Sequence, residues 1–168
     1  LNKPEEAEIY FKKAIELKPD YAEAYNDVGA LLSGYDKLEE AEIYFKKAIE
    51  LKPDFAKAHY NYCRIKKFNK KDLHFIQMQK LILKKNLNDD EYCYLNFSLA
   101  KAFEDINQFD KSFEYYYKGN ELKKNLLKYD INQDIKVFNH IKKAHSIINK
   151  NSLHAINLVN KPKPIFII

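Results

Sequence analysis

The sequence predicts an all-α fold, a solenoid of antiparallel helical hairpins with a short extended segment at its C-terminal end. Residues 5–20 and 39–54 carry the same sixteen letters, EEAEIYFKKAIELKPD, at an offset of 34, and a fixed period of that length marks repetition of one supersecondary unit. Within each copy the apolar residues fall at i, i+3, i+4 and i+7, as Ala7, Tyr10, Phe11 and Ala14 and again as Ala41, Tyr44, Phe45 and Ala48. That spacing is one face of a helix. Three Gly and five Pro in 168 residues are too few turn residues for a many-stranded fold.

The elements follow in order. The first helix is predicted from Lys3 to Lys18, capped by Asn2 with Glu5 as the reciprocal partner and stopped by Pro19. The next spans Asp20 to Gly34, opening on a D-x-x-E box (Asp20, Glu23) and closing on a glycine suited to a left-handed cap. Asp36 with Glu39 opens the third helix and Pro53 ends it. Two short helices in 34 residues cannot bury both faces alone, so neighbouring units must stack. Residues 56–89 predict a less regular pair, near Phe55 to Phe68 and Lys71 to Lys85, and the pattern recovers over 93–126, where Asn107 and Asp110 are placed to cap the second helix. A further helix is predicted from Ile131 to Ile148, with Ile135, Phe138, Ile141 and His145 on one stripe, and a shorter one from Ser152 to Val159. Asn160-Lys161-Pro162-Lys163-Pro164 then forms a stiff extended linker. It runs into Ile165-Phe166-Ile167-Ile168, four apolar residues with the character of a buried strand.

Composition narrows the function. A hydrophobic content of 46% supports a buried core, while no apolar run approaches the roughly 18 residues of a membrane span and no basic stub leads into an apolar stretch as in a secretory signal. Cys63 and Cys93 lack the spacing of a zinc site. Two buried, reduced thiols are expected, which fits a cytoplasmic setting. The net charge of +5 is dispersed over lysine pairs such as Lys66-Lys67 and Lys142-Lys143, and Arg64 is the single arginine. Nucleic-acid readers lean on arginine forks, so these scattered lysines predict solvated helix faces and no nucleic-acid partner. His59, His74, His140, His145 and His154 include no i, i+4 pair, and no metal site is predicted. Nor is there a G-x-S-x-G, an H-E-x-x-H or a Gly-rich phosphate loop. No catalytic residue and no cofactor are expected within the chain itself.

In the unit 22–55, Tyr25, Val28, Gly29, Leu32, Ala41, Phe45, Ala48 and Pro53 stand at the spacing W-x2-L-G-x2-Y, A-x3-F, P, and the unit resembles a tetratricopeptide repeat (TPR). Units fall near 1–21, 22–55, 56–89 and 93–126. In the last, Leu99, Ala100, Phe103, Ser112, Tyr116 and Gly119 occupy pattern positions, whereas 56–89 departs at Lys66, Phe75, Gln79 and Leu87. Small residues at Gly29, Ala41 and Ala48 let helix axes approach closely, with large ones filling the gaps.

The resemblance implies a right-handed superhelix in which the first helix of each hairpin lines a concave groove for a protein or peptide ligand. Carried over position by position, the groove would be lined by Glu23, Asn26, Asp27, Ala30 and Ser33 in the first complete unit. Lys57, Tyr60, Asn61, Arg64 and Lys67 follow in the next, and Tyr94, Phe97, Ser98, Lys101 and Glu104 in the last. Asn26 and Asn61 suit bonds to a peptide backbone, and Arg64, Lys67 and Lys101 suit acidic side chains or a C-terminal carboxylate.

The stretch LAKAFEDINQFDKSFEYYYKGNELKK (99–124), a further helical segment and then KPIFII (163–168) together resemble the region that joins repeats to the catalytic domain in bacterial TPR-containing sulfotransferases. This resemblance implies TPR helices over 1–126, a helical linker over 127–160, and a Pro-rich linker with the first strand of a further domain over 161–168. It also implies PAPS as the cofactor of the parent enzyme, held past Ile168 by a Gly/Arg/Ser/Thr-rich loop at a helix N-terminus. On this expectation the chain is interrupted at both ends, because Leu1 opens a second-helix sequence without its first helix. The alternatives are a free-standing adaptor for an extended peptide, or the repeat region of another transferase such as a glycosyltransferase.

Overall fold

The computed structural model describes residues 3–152, with side-chain surroundings from 6 to 148, and among them all regular structure is helical. The elements are α1 (Lys3–Leu17), α2 (Ala22–Gly34), α3 (Leu38–Leu51), α4 (Ala56–Ile65), α5 (Leu73–Leu81), α6 (Asp89–Asp105), α7 (Phe109–Leu126) and α8 (Ile131–Ser152). The described residues up to Leu127 form one compact unit, and α8 belongs to a second unit that begins at Lys128. The expected cap at Asn2, the helix beyond Ser152, and the 161–168 linker and strand lie outside the described residues.

The sequence repeat becomes hairpin packing through two small residues. A Cβ placed on Gly29 would lie 2.7 Å from the Phe45 ring and 3.2 Å from the Ala41 carbonyl oxygen, so α2 and α3 meet at a distance only glycine permits. Val28, Leu32, Ala41, Phe45 and Tyr62 form the buried cluster around that contact. In α6–α7, Gly119 plays a related part, since a Cβ there would touch the Phe97 ring at 3.1 Å. Leu99 and Ala100 are buried on the α6 side of the same hairpin.

Residues 56–89 depart as expected, and the structure shows how. In register with Gly29 and Ala41 stand Cys63 and Phe75, and α4 and α5 approach less closely than the helices of the other two hairpins. The gap is filled by large side chains: Phe75 meets Phe103 edge-on at 5.0 Å, and the Cys63 Sγ lies 3.4 Å from the Met78 Sδ. Both helices are shorter than predicted. Lys66 turns extended and Phe68 folds into the core, where its N–H donates to Asp105 Oδ2 (2.9 Å). The backbone that would continue α4 is thus engaged by α6.

The capping expectations need correction. Tyr21, Lys37 and Gln108 occupy the N-cap positions of α2, α3 and α7 without a side-chain capping bond. Asp36 and Asn107 instead adopt left-handed φ values of 60°, a conformation these two residue types tolerate. Lys37 N–H then donates to the Leu32 carbonyl and Asp36 N–H to Ser33, and the same pair of bonds recurs from Gln108 to Phe103 and Asn107 to Glu104. This is the Schellman closure of the preceding helix. Asp36 and Asn107 therefore end helices rather than start them, and Gly34 is not in the left-handed region. Side-chain caps occur elsewhere: Asp72 accepts from the His74 amide, and Asn88 with Glu91 forms a full capping box on α6.

Candidate functional site

The first helices α2, α4 and α6 carry the positions expected to line a groove, and their side chains divide by what they are committed to. Asn26 is fully buried; its Oδ1 accepts from Asn61 Nδ2 (2.9 Å) and its Nδ2 donates to Asp27 Oδ1 (3.0 Å). The two asparagines expected to serve a peptide backbone thus bond each other across units. Asp27 also faces Lys57 at 3.5 Å, and Glu23 pairs with Lys52 at 2.9 Å. Ala30 is exposed and Ser33 half-buried.

Lys101 is equally committed. Its ammonium donates to the Lys66 carbonyl (2.5 Å) and pairs with Asp105, fastening the 66–68 loop to α6. Arg64 and Lys67 differ: both are exposed, and neither makes a hydrogen bond or ion pair among the described residues. Two of the three expected cations remain available.

Beside Arg64 lies a half-open cavity of about 190 Å³ between α4, α6 and α7, lined by Tyr60, Cys63, Arg64, Phe97, Ser98, Lys101 and Tyr116. The rings of Tyr60 and Phe97 are 6.3 Å apart and those of Phe97 and Tyr116 6.4 Å, while Tyr94 stands 5.4 Å from Tyr60. Tyr116, read from the sequence as a packing residue, is a wall of this cavity, and its hydroxyl donates to Glu104 (3.0 Å). Of the other packing positions, Gly29, Ala41, Phe45 and Ala48 are buried, and the half-buried Tyr25 leans on Tyr44 at 6.2 Å. Pro53 is exposed, but its carbonyl is used.

That carbonyl anchors a pair of histidines absent from the sequence expectations. His59 Nε2 lies 3.0 Å from the Pro53 oxygen, and His59 Nδ1 lies 2.7 Å from His74 Nε2, with the two rings stacked at 4.9 Å. A carbonyl only accepts, so His59 carries its proton on Nε2 and takes a hydrogen bond from His74 Nε2–H. His74 Nδ1 is left buried without a partner. Burial, reinforced by His59 and Lys66, holds the His74 imidazole down at about 3, and burial likewise lowers His59. Both rings are neutral at pH 7.

Neither cysteine is activated as a nucleophile. Cys63 and Cys93 are buried free thiols as expected, and burial pushes Cys63 up to about 12. Among the described residues there is no group of three or more side chains able to hold a metal ion, and no helix long and apolar enough to cross a membrane.

A family model described as tetratricopeptide repeat matches residues 10–43, from the second half of α1 through α2 into α3. No curated protein matches the chain. The fold is an all-α, TPR-type solenoid of antiparallel hairpins, an architecture whose stacked units present extended surfaces to protein and peptide partners.

Proposed function

We propose that this chain is a protein-interaction scaffold that holds an extended peptide along the face shared by α2, α4 and α6. One observation supports it most: on a face where Asn26, Asn61, Asp27 and Lys101 are tied to their own chain, the side chains of Arg64 and Lys67 are unpaired, and Arg64 borders an open aromatic cavity. A free guanidinium offers forked, charge-assisted bonds to a carboxylate. The ligand is an acidic peptide. Titrating acidic and basic extended peptides against the chain tests this. Arg64→Glu leaves helicity and melting temperature unchanged and weakens the acidic peptide, whereas equal affinity for both charge types would remove the assignment.

A second reading joins these repeats to a PAPS-dependent sulfotransferase, with the scaffold positioning a protein or other acceptor for a catalytic domain outside this chain. It rests on the sequence resemblance of residues 99–124 and 163–168. PAPS is then the cofactor of the parent enzyme and not of this chain. Determining the coding sequence after the Ile168 codon tests it: a Gly/Arg/Ser/Thr-rich loop supports the enzyme, and a stop codon leaves the adaptor.

A further inference from the structure

We infer that the cavity between α4, α6 and α7 is an anchor pocket for one aromatic side chain of a bound peptide, with an acidic neighbour held by Arg64. The inference rests on the peptide-binding reading above and specifies its ligand. Size comes first: about 190 Å³ is below the roughly 300–1,000 Å³ of small-molecule and cofactor sites, so the space suits a single side chain.

Apart from the Arg64 guanidinium and the Tyr60 hydroxyl, the polar side chains around the cavity are already committed. Ser98 donates its hydroxyl to the Tyr94 carbonyl (2.8 Å), the Cys63 thiol faces Met78, and the Tyr116 hydroxyl faces Glu104. Lys101 is held by the Lys66 carbonyl and Asp105. What remains for an occupant is ring surface from Tyr60, Phe97 and Tyr116, whose spacings of 6.3 and 6.4 Å leave faces and edges for a fourth ring in tilted or edge-on contact. Against those ring faces a charged or amide side chain would lose its water without regaining a partner, because the unpaired guanidinium of Arg64 sits at the exposed rim.

The rim supplies the second half of the specificity. Arg64 lines the cavity, is exposed, and carries the only charge on the lining that no carboxylate or carbonyl occupies among the described residues. The complementary ligand is an aromatic residue beside Asp or Glu.

Probing an array of random extended peptides with the labelled full chain tests this. The native chain enriches peptides with an aromatic residue next to an acid, by about tenfold or more over the same peptides carrying Ala in place of the ring. Arg64→Glu, a surface change, keeps the aromatic preference and shifts the neighbour to Lys or Arg. Tyr60→Ala, checked for native helicity, loses the aromatic preference; if it does not fold, the Arg64→Glu shift decides. Bound peptides without aromatic enrichment overturn the anchor pocket while leaving peptide binding intact. Failure to bind any peptide sinks the underlying reading instead.

Discussion

The α2–α3 and α4–α5 hairpins occupy the same place in successive repeats, yet one is closed and the other held open. The difference traces to two positions. Gly29 against Ala41 lets α2 and α3 meet with the Phe45 ring lying on the glycine, whereas Cys63 and Phe75 stand at the equivalent places in α4 and α5. The added bulk keeps those helices apart, and aromatic, sulfur and imidazole contacts take over the work of small-residue packing. A helical repeat therefore fixes the order of its elements through overall pattern, but the closeness of each hairpin through one or two residues.

The comparison breaks most severely at Gly29. Even a Cβ there overlaps Phe45, so Gly29→Trp abolishes the cooperative melt of the α2–α3 region, measurable as lost helicity by circular dichroism. An unchanged melting temperature would refute close packing at this crossing. In the open hairpin the corresponding weak point is the large residue. Phe75→Ala removes a ring packed on Phe68 and Phe103 and lowers unfolding free energy by about 3–4 kcal/mol, read from urea denaturation.

Acid sharpens the comparison further, because only the open hairpin contains buried imidazoles. His59 and His74 are lowered from the usual 6.5, so the unfolded chain binds protons that the folded chain refuses as pH falls below 6.5, for His74 down to about 3. Their stabilisation is complete above that window and is lost within it, at up to ~1.4 kcal/mol per pH unit for each ring. Denaturant midpoints measured at descending pH check this, and His74→Gln, which keeps a donor for His59, makes the decline shallower. The smallest effect is at Gly34. A Cβ there meets nothing within 4 Å and the backbone is not left-handed, so Gly34→Ala raises stability by at most about 0.5–1 kcal/mol.

How much of this was legible in the sequence follows the range of the interactions. The 34-residue period and the Gly29, Ala41 and Phe45 positions are local patterns, and they predicted the hairpins and the burial of the small residues. The caps do not follow from their own four residues: Asp36 has the right spacing to Glu39, but the closure of the preceding helix claims it first. The Asn88-Glu91 box on α6 is equally local, and there no closure of a preceding helix competes for the cap residue. Long-range pairings left no sequence signal. Asn61 reaching back to Asn26, and Lys101 to the Lys66 carbonyl, join residues 35 apart, and they decide which groove residues remain available to a ligand. The identical segments in α1 and α3 make the same point, since Ala41, Phe45 and Ala48 are buried while Ala7, Phe11 and Ala14 are only half-buried. One sequence, with different neighbours, yields different burial.

The proposed peptide site runs along the first helices α2, α4 and α6, with Tyr116 of α7 as a wall of its anchor pocket. Amide hydrogen exchange of the full chain, alone and with a saturating extended peptide carrying Phe beside Glu, tests it most directly. The account predicts slowed exchange in α4 and α6 with α3 and α5 unchanged. Protection confined to α3 and α5, or none anywhere, would contradict it.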